Sequence, residues 1–380
     1  MGCQQSRMNE KMNKSAASSL SVPPVQQRPP SECQGLPPPL LPDLSSTSFC
    51  DVDFYIDGSE TTDSQPRLAC TLTWCKDDID SADDSAKVVV PEPTIDDVLR
   101  ASTNLPTSER RPVVIVCHGF LSWRNQMLIS HIAAGVAQKL HCHALRFDFR
   151  GNGHSGGTWR SAGFDDELCD LRRVVDYVRN SLGCEVLCIA GHSKGSAAVL
   201  HYALEQEKRA HRRGEGGQKE EKRAVLVPCF VNLAGRFVVP GEFDVKTRFS
   251  KEQCDELARE GKFTMKTFGE KAVVVTQEDI DERANASSAF VSEIRTSHVL
   301  TIHGSADMTV DVENAKRYDE SISKHTCTLQ IIEGADHNFN GLKHINAIVG
   351  SVVGFVEENS SSSSLHMHHQ ESDLAPTGMH

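Results

Sequence analysis

A serine, an aspartate and a histidine stand in this chain where acyl transfer needs them. Gly191-His192-Ser193-Lys194-Gly195 follows the apolar run Val186-Leu187-Cys188-Ile189-Ala190 and leads into the small-residue stretch Ser196-Ala197-Ala198-Val199-Leu200. That order predicts strand, sharp turn and helix, with Ser193 at the apex. The flanking glycines admit a tight backbone path that exposes the hydroxyl and aims the helix N-terminus at it. A serine hydroxyl is a poor nucleophile until a base takes its proton and a third group orients that base. Downstream, Asp307 closes Gly304-Ser305-Ala306-Asp307 just after the apolar run 299–303, and His337 closes Gly334-Ala335-Asp336-His337 after the run 327–333. Each of the three also has a plainer reading. Ser193 could be an ordinary capping serine, Asp307 a cap for the helix after it, and His337 one of 17 histidines. Asp336 is a rival acid, but a neighbour in sequence is badly placed to reach Nδ1 of His337. Strand-end placement of all three together favours the catalytic reading.

The oxyanion of an acyl-transfer intermediate needs preorganised backbone N–H donors. The amide of Lys194, directly after the serine, is one candidate. The amide of Phe120, in Cys117-His118-Gly119-Phe120, is the other, with Gly119 permitting close approach. His118 is expected to buttress that loop. The turn Phe147-Asp148-Phe149-Arg150-Gly151-Asn152-Gly153-His154-Ser155 reads as a rigid loop held by its glycines and its Asp/Arg pair, and fits a dinucleotide fingerprint poorly. No metal site is expected. In His141-Cys142-His143 strand alternation turns Cys142 to the opposite face, and nothing requires a metal at the tail histidines His366, His368 and His369.

The elements that must position these residues begin at Pro112, where apolar strands alternate with amphipathic helices. Strands are predicted over 113–117, 144–149, 185–190, 225–233, 299–303 and 327–333. Continuous apolar runs of this length suit a parallel sheet covered on both faces. Leu168, Leu171, Val174, Val175, Val178 and Leu182 form a helical stripe behind Asp165 and Asp166. Ile345, Ile348, Val349, Val352, Val353 and Val356 form another. Before them, Val52, Phe54 and Ile56, then Leu68, Cys70, Leu72 and Trp74, alternate as in an antiparallel hairpin. Three segments break the pattern: an acidic insertion over 76–111 without periodicity, a charged loop over 205–223, and a helical lid over 240–296 with a Ser250/Gln253 capping box. Residues 51–358 thus form one domain, between a Ser/Gln/Pro-rich tether (1–50) and a Ser/His-rich tail (359–380).

The chain of 380 residues carries a net charge of −12 and no basic stripe with interleaved aromatics, which argues against a nucleic-acid partner. Its 13 cysteines are scattered, several inside apolar runs, as in a reducing compartment. No apolar stretch reaches the length of a membrane span, and no secretory apolar region is seen near the start. Met1-Gly2-Cys3-Gln4-Gln5-Ser6 instead fits N-myristoylation at Gly2, with Cys3 placed for palmitoylation and Arg7, Lys11 and Lys14 nearby. Two acyl chains anchor where one binds only marginally, so the expected location is the cytoplasmic face of a membrane.

The Ser, Asp, His order is that of the α/β-hydrolases. The HGF loop at 118–120, the FDFRGNGHS turn, GHSKG at the serine, HGSAD at the acid and EGADH at the histidine together resemble the cinnamoyl/feruloyl-esterase-like serine hydrolases of that superfamily, over about residues 110–358. The resemblance implies an α/β-hydrolase fold with a mostly parallel sheet, helices on both faces and a small lid between the sixth core strand and the acid. It implies Ser193, Asp307 and His337 as triad and the Phe120 and Lys194 amides as oxyanion hole. The expected activity is carboxylic-ester hydrolysis through an acyl-enzyme, on a small or lipid-like ester, with no metal or organic cofactor. A membrane-anchored acyl-protein thioesterase or monoacylglycerol lipase would use the same residues. A tethered binding protein on an inactive scaffold is the non-enzymatic alternative.

Overall fold

The computed structural model describes residues 49–58, 65–75, 94–104, 110–215, 226–266 and 272–360. Gly2, Cys3 and nearly all of the tether and tail lie outside the described residues. Eight strands make one sheet: β1 (Phe49–Ile56), β2 (Leu68–Cys75), β3 (Val113–Cys117), β4 (His143–Phe147), β5 (Val186–His192), β6 (Cys229–Leu233), β9 (His298–Gly304) and β10 (Cys327–Ile332), in the order β1-β2-β4-β3-β5-β6-β9-β10. The two strands between β6 and β9 in the chain, β7 (Lys262–Lys266) and β8 (Ala272–Thr276), pair separately. β1 and β2 form the expected antiparallel hairpin and β2 joins β4 antiparallel; the other pairings of the large sheet are parallel.

The described helices are α1 (Ile95–Asn104), α2 (Met127–Leu140), α3 (Phe164–Asn180), α4 (Lys194–Glu215), α5 (Lys251–Glu260), α6 (Gln277–Asn285), α7 (Glu313–Ser321) and α8 (Leu342–Asn359). Strand pleat explains why the central strands are apolar throughout. Val113, Ile115 and Cys117 of β3 point into one core with Leu171 and Val174 of α3 and Val199 and Ala203 of α4. Val114 and Val116 point into the other, with Ile129 and Ile132 of α2 and Ile348 and Val352 of α8. Period-two alternation thus feeds two helical layers at once, and each fully buried Val or Ile contributes roughly 1.5–3 kcal/mol. Strand β6 starts at Cys229, later than the expected 225. Pro228, which has no N–H to give the ladder, precedes it.

Three segments differ from expectation. The acidic insertion contains helix α1. Thr94 and Asp97 exchange hydrogen bonds as a capping box, and Ile95 and Val98 are buried beneath the sheet edge. The first four residues of this box, Thr94-Ile95-Asp96-Asp97, carried the signal. The charged segment is helical as far as Glu215, because α4 continues through it with Glu205 pairing Arg209 one turn on and Arg172 of α3; residues 216–225 lie outside the described residues.

The 240–296 excursion is not purely helical. The Ser250/Gln253 capping box opens α5 as expected, and a Thr276/Asp279 box opens α6. Between them stands the β7–β8 hairpin, whose alternately buried Phe263, Val273 and Val275 join Leu257, Ile280 and Trp159 in a separate small core. The end of the excursion is split between α6 and a 3-10 turn at Ala289–Glu293.

Candidate active site

Ser193 stands between the end of β5 and the start of α4 with φ 52°, a left-handed backbone conformation rare outside glycine and costing about 1–3 kcal/mol. The conformation is held from both sides. The Ser193 amide donates to the Leu233 carbonyl at 2.8 Å, the Ser196 amide donates back to the Ser193 carbonyl at 3.1 Å, and the Ser196 hydroxyl donates to the Gly191 carbonyl at 2.6 Å. A Cβ on Gly195 would lie 2.3 Å from the carbonyl oxygen of His118. Only a hydrogen fits there, which brings the 118–120 loop against the first turn of α4.

The three predicted side chains converge. Ser193 Oγ is 3.0 Å from Nε2 of His337, and Nδ1 of His337 is 2.7 Å from Oδ2 of Asp307. Because a carboxylate only accepts, Nδ1 carries the proton, and Nε2 is left to accept from the serine hydroxyl. Asp307 is nearly fully buried and uses both oxygens. Oδ1 accepts the amides of Thr309 and Val310, each at 2.8 Å, and Oδ2 accepts His337 and, at 3.2 Å, Nε2 of His303. Asp307 therefore ties its own turn as well as facing the histidine, but does not cap α7. Burial alone raises its pKa; hydrogen bonds from His303, His337 and the Val310 amide outweigh burial and hold it well below the usual carboxylate range. Asp336 instead accepts from the amide and side chain of Asn340, at 2.9 and 2.7 Å, away from the imidazole.

Two buried histidines around this trio were not singled out in the sequence. His303, from the end of β9, shares that one Nε2 proton between Asp307 and the Val310 carbonyl, the latter at 2.8 Å, and is wholly buried. His192 donates through Nε2 to the His337 carbonyl at 2.8 Å, and its pKa is pushed down to about 4 by burial and then by the charge of His337. The spacing of His303 and Asp307, four residues apart across a strand end, was the visible signal for the first. For His192 there was none beyond its place beside the serine.

The Lys194 amide belongs to the first turn of α4, whose N–H groups have no acceptor within the helix. Together with Gly119, Phe120, Ser193 and His337 it borders one cavity of about 750 Å³. His118 braces the loop as expected: Nδ1 donates to the Gly119 carbonyl at 2.9 Å and Nε2 accepts the Phe149 amide at 3.1 Å. Burial lowers its pKa, consistent with a neutral ring. The FDFRGNGHS turn is tied by hydrogen bonds, but its Asp and Arg do not pair with each other. Asp148 binds the amide and guanidinium of Arg124, while Arg150 binds Asp166 and Asp170 of α3. The Lys194 side chain is buried on Glu167 at 2.6 Å. Among the described residues, no group of three or more His, Cys, Asp or Glu is arranged to hold a metal ion, and no helix is long and apolar enough to cross a membrane.

Residues 112–212 match the family model described as alpha/beta hydrolase fold. A putative hydrolase from Agrobacterium vitis is similar in structure (TM-score 0.53, 17% identity, covering 81% of this chain and 99% of that one). So is the ferulic-acid-bound Est1E of Butyrivibrio proteoclasticus, with TM-score 0.52, 18% identity and coverage of 80% and 98%. Mouse alpha/beta hydrolase domain-containing protein 10 has TM-score 0.51, 15% identity and coverage of 80% and 98%. A search of curated proteins finds no match. Sheet order, the strand–turn–helix at Ser193 and these likenesses agree: the chain has the α/β-hydrolase fold.

Proposed function

We propose that this chain is a serine hydrolase of carboxylic esters. The observation that carries the reading is the hydrogen-bonded series Ser193 Oγ, His337 Nε2, His337 Nδ1 and Asp307 Oδ2, at 3.0 and 2.7 Å on the wall of a cavity large enough for a small ester. His337 takes the Ser193 proton as Oγ attacks the ester carbonyl, and Asp307 holds the resulting imidazolium in place. The Phe120 and Lys194 amides stabilise the tetrahedral oxyanion, worth about 3–4 kcal/mol for one such donor. Protonated His337 gives its proton to the leaving alkoxide. It then deprotonates the water that hydrolyses the acyl-enzyme.

A fluorophosphonate probe tests the reading. Wild-type protein is expected to be labelled and Ser193→Ala protein to remain unlabelled; an unreactive wild type would remove the nucleophile and the mechanism with it. The same reading includes attachment to a membrane through a myristoyl group on Gly2 and a palmitoyl group on Cys3, supported by the Met-Gly-Cys start and the basic residues after it.

A further inference from the structure

The cavity beside Ser193 is lined by more positive charge than its chemistry uses. Arg236, Arg248 and Arg283 all border it, in a chain whose net charge is −12. The other two cations nearby have partners of their own: Lys194 is held by Glu167, and Arg160 by Glu282. The three arginines contact neutral oxygens instead. Arg236 and Arg248 both donate to the carbonyl of Thr309, at 2.6 and 3.2 Å, and Arg283 donates to the carbonyl and hydroxyl of Ser161, at 3.1 and 3.3 Å. Among the described residues none of the three forms a salt bridge. Glu282 is already taken by Arg160, and Asp165, the other acidic side chain on the lining, is exposed.

A guanidinium has five N–H donors, and these contacts occupy one donor nitrogen on each. Two guanidinium groups meeting at one carbonyl repel each other; the Asp307 carboxylate acts on Arg248, and an anion in the cavity would offset what repulsion is left. Their positions bracket the reacting centre. Thr309 is two residues from Asp307 and donates its amide to that carboxylate, whereas the Arg283 guanidinium lies 5.2 Å from the ring centroid of Phe120 and 5.5 Å from that of Phe243. Burial, and then the charge of Arg248, pushes Arg283 down to about 10 against the opposing pull of Glu167 and Asp279, neither of which forms a salt bridge with it; it is still protonated at neutral pH. Phe243, Phe249, Phe290 and Val238 supply apolar wall between these charges.

We infer that the cavity takes an ester whose acyl or alcohol part carries a carboxylate, bound by Arg236, Arg248 and Arg283. The inference rests on the serine-hydrolase reading for its chemistry. A carboxylate matches the planar donor fork of arginine, and the surrounding aromatic wall suits a substrate that is apolar elsewhere.

The test is a panel of three esters on the full chain: benzyl valerate, which is neutral; monobenzyl glutarate, charged on the acyl side; and 4-carboxybenzyl valerate, charged on the alcohol side. At least one charged ester is expected to exceed the neutral one in kcat/KM by about tenfold or more, and the side that gains locates the charge. Arg248→Gln/Arg283→Gln protein is expected to lose that preference. Equal rates for all three esters, or preference for the neutral one, would overturn the inference while leaving the hydrolase reading intact. If nothing is hydrolysed and the fluorophosphonate does not react, the hydrolase reading fails. Calorimetric titration of Ser193→Ala protein with the same esters then reads the anion site alone: tighter binding of a charged ester supports it, and equal binding overturns it.

Discussion

At the scale of single residues, the site depends on which groups are kept neutral and which are kept charged. Asp307 stays ionised because four donors fill its lone pairs, and His192 stays neutral because burial excludes its charge. The second has a measurable consequence. A histidine at about 4 when folded and 6.5 when unfolded binds its proton first in the unfolded chain, so stability falls as pH drops from about 6.5 towards 4. The loss attributable to His192 is on the order of 3 kcal/mol by pH 4. Urea denaturation from pH 7 to 4 is expected to show a shallower pH dependence for His192→Gln, whose amide can still donate to the His337 carbonyl. An unchanged slope would assign the acid sensitivity elsewhere. Ser193, Asp307 and His337 were legible because strand-end position and chain order are written in the sequence. His303 showed only in its four-residue spacing to Asp307 and His192 not at all, because what distinguishes them is burial, and burial is decided by elements far away in the chain.

At the scale of elements, the join between β5 and α4 does most of the positioning. The strained Ser193 backbone persists because β6 receives its amide and the 118–120 loop packs on Gly195. Gly195→Ala places a methyl group 2.3 Å from the His118 carbonyl oxygen, so the loop must retreat and carry the Phe120 amide with it. Turnover is expected to fall by about 100-fold or more, with far-UV circular dichroism unchanged; wild-type kcat would show that the loop does not need this contact. The strands and long helices were readable from periodicity, and the errors lay where periodicity was short. Helix α1 announced itself only through a four-residue capping box, and β7–β8 through two five-residue strands inside a segment otherwise rich in helix formers. Glu205 to Glu215 is charged on both signs, which reads as loop until its i,i+4 pairing is noticed.

At the scale of the whole molecule, the 240–296 excursion and the sheet enclose the cavity together. Phe243, Arg248 and Arg283 come from the excursion, while Ser193, Lys194 and His337 come from strand ends of the sheet. On the proposed reading, a substrate meets chemistry set by the sheet and selection set by the excursion. On the same reading the tether bears on where that chemistry happens. Gly2→Ala is expected to move the full chain from the membrane to the soluble fraction of expressing cells; unchanged partitioning would remove acylation as the anchor. On the proposed reading, anchoring through two chains would concentrate the protein where lipid-like esters lie.

Taken alone, the sequence determined the parallel sheet and the order Ser193, Asp307, His337. Those follow from local rules: pleat alternation, glycine at a tight turn, and polar residues just past strand ends. Only the tertiary structure decided that Asp307 is shared between His337 and His303, that Arg124 rather than Arg150 holds Asp148, and that three arginines from separate segments line one cavity. Each of those is a contact between residues far apart in the chain. Charge and hydrogen-bond partners across such separations are set by how the layers pack, which no local pattern encodes.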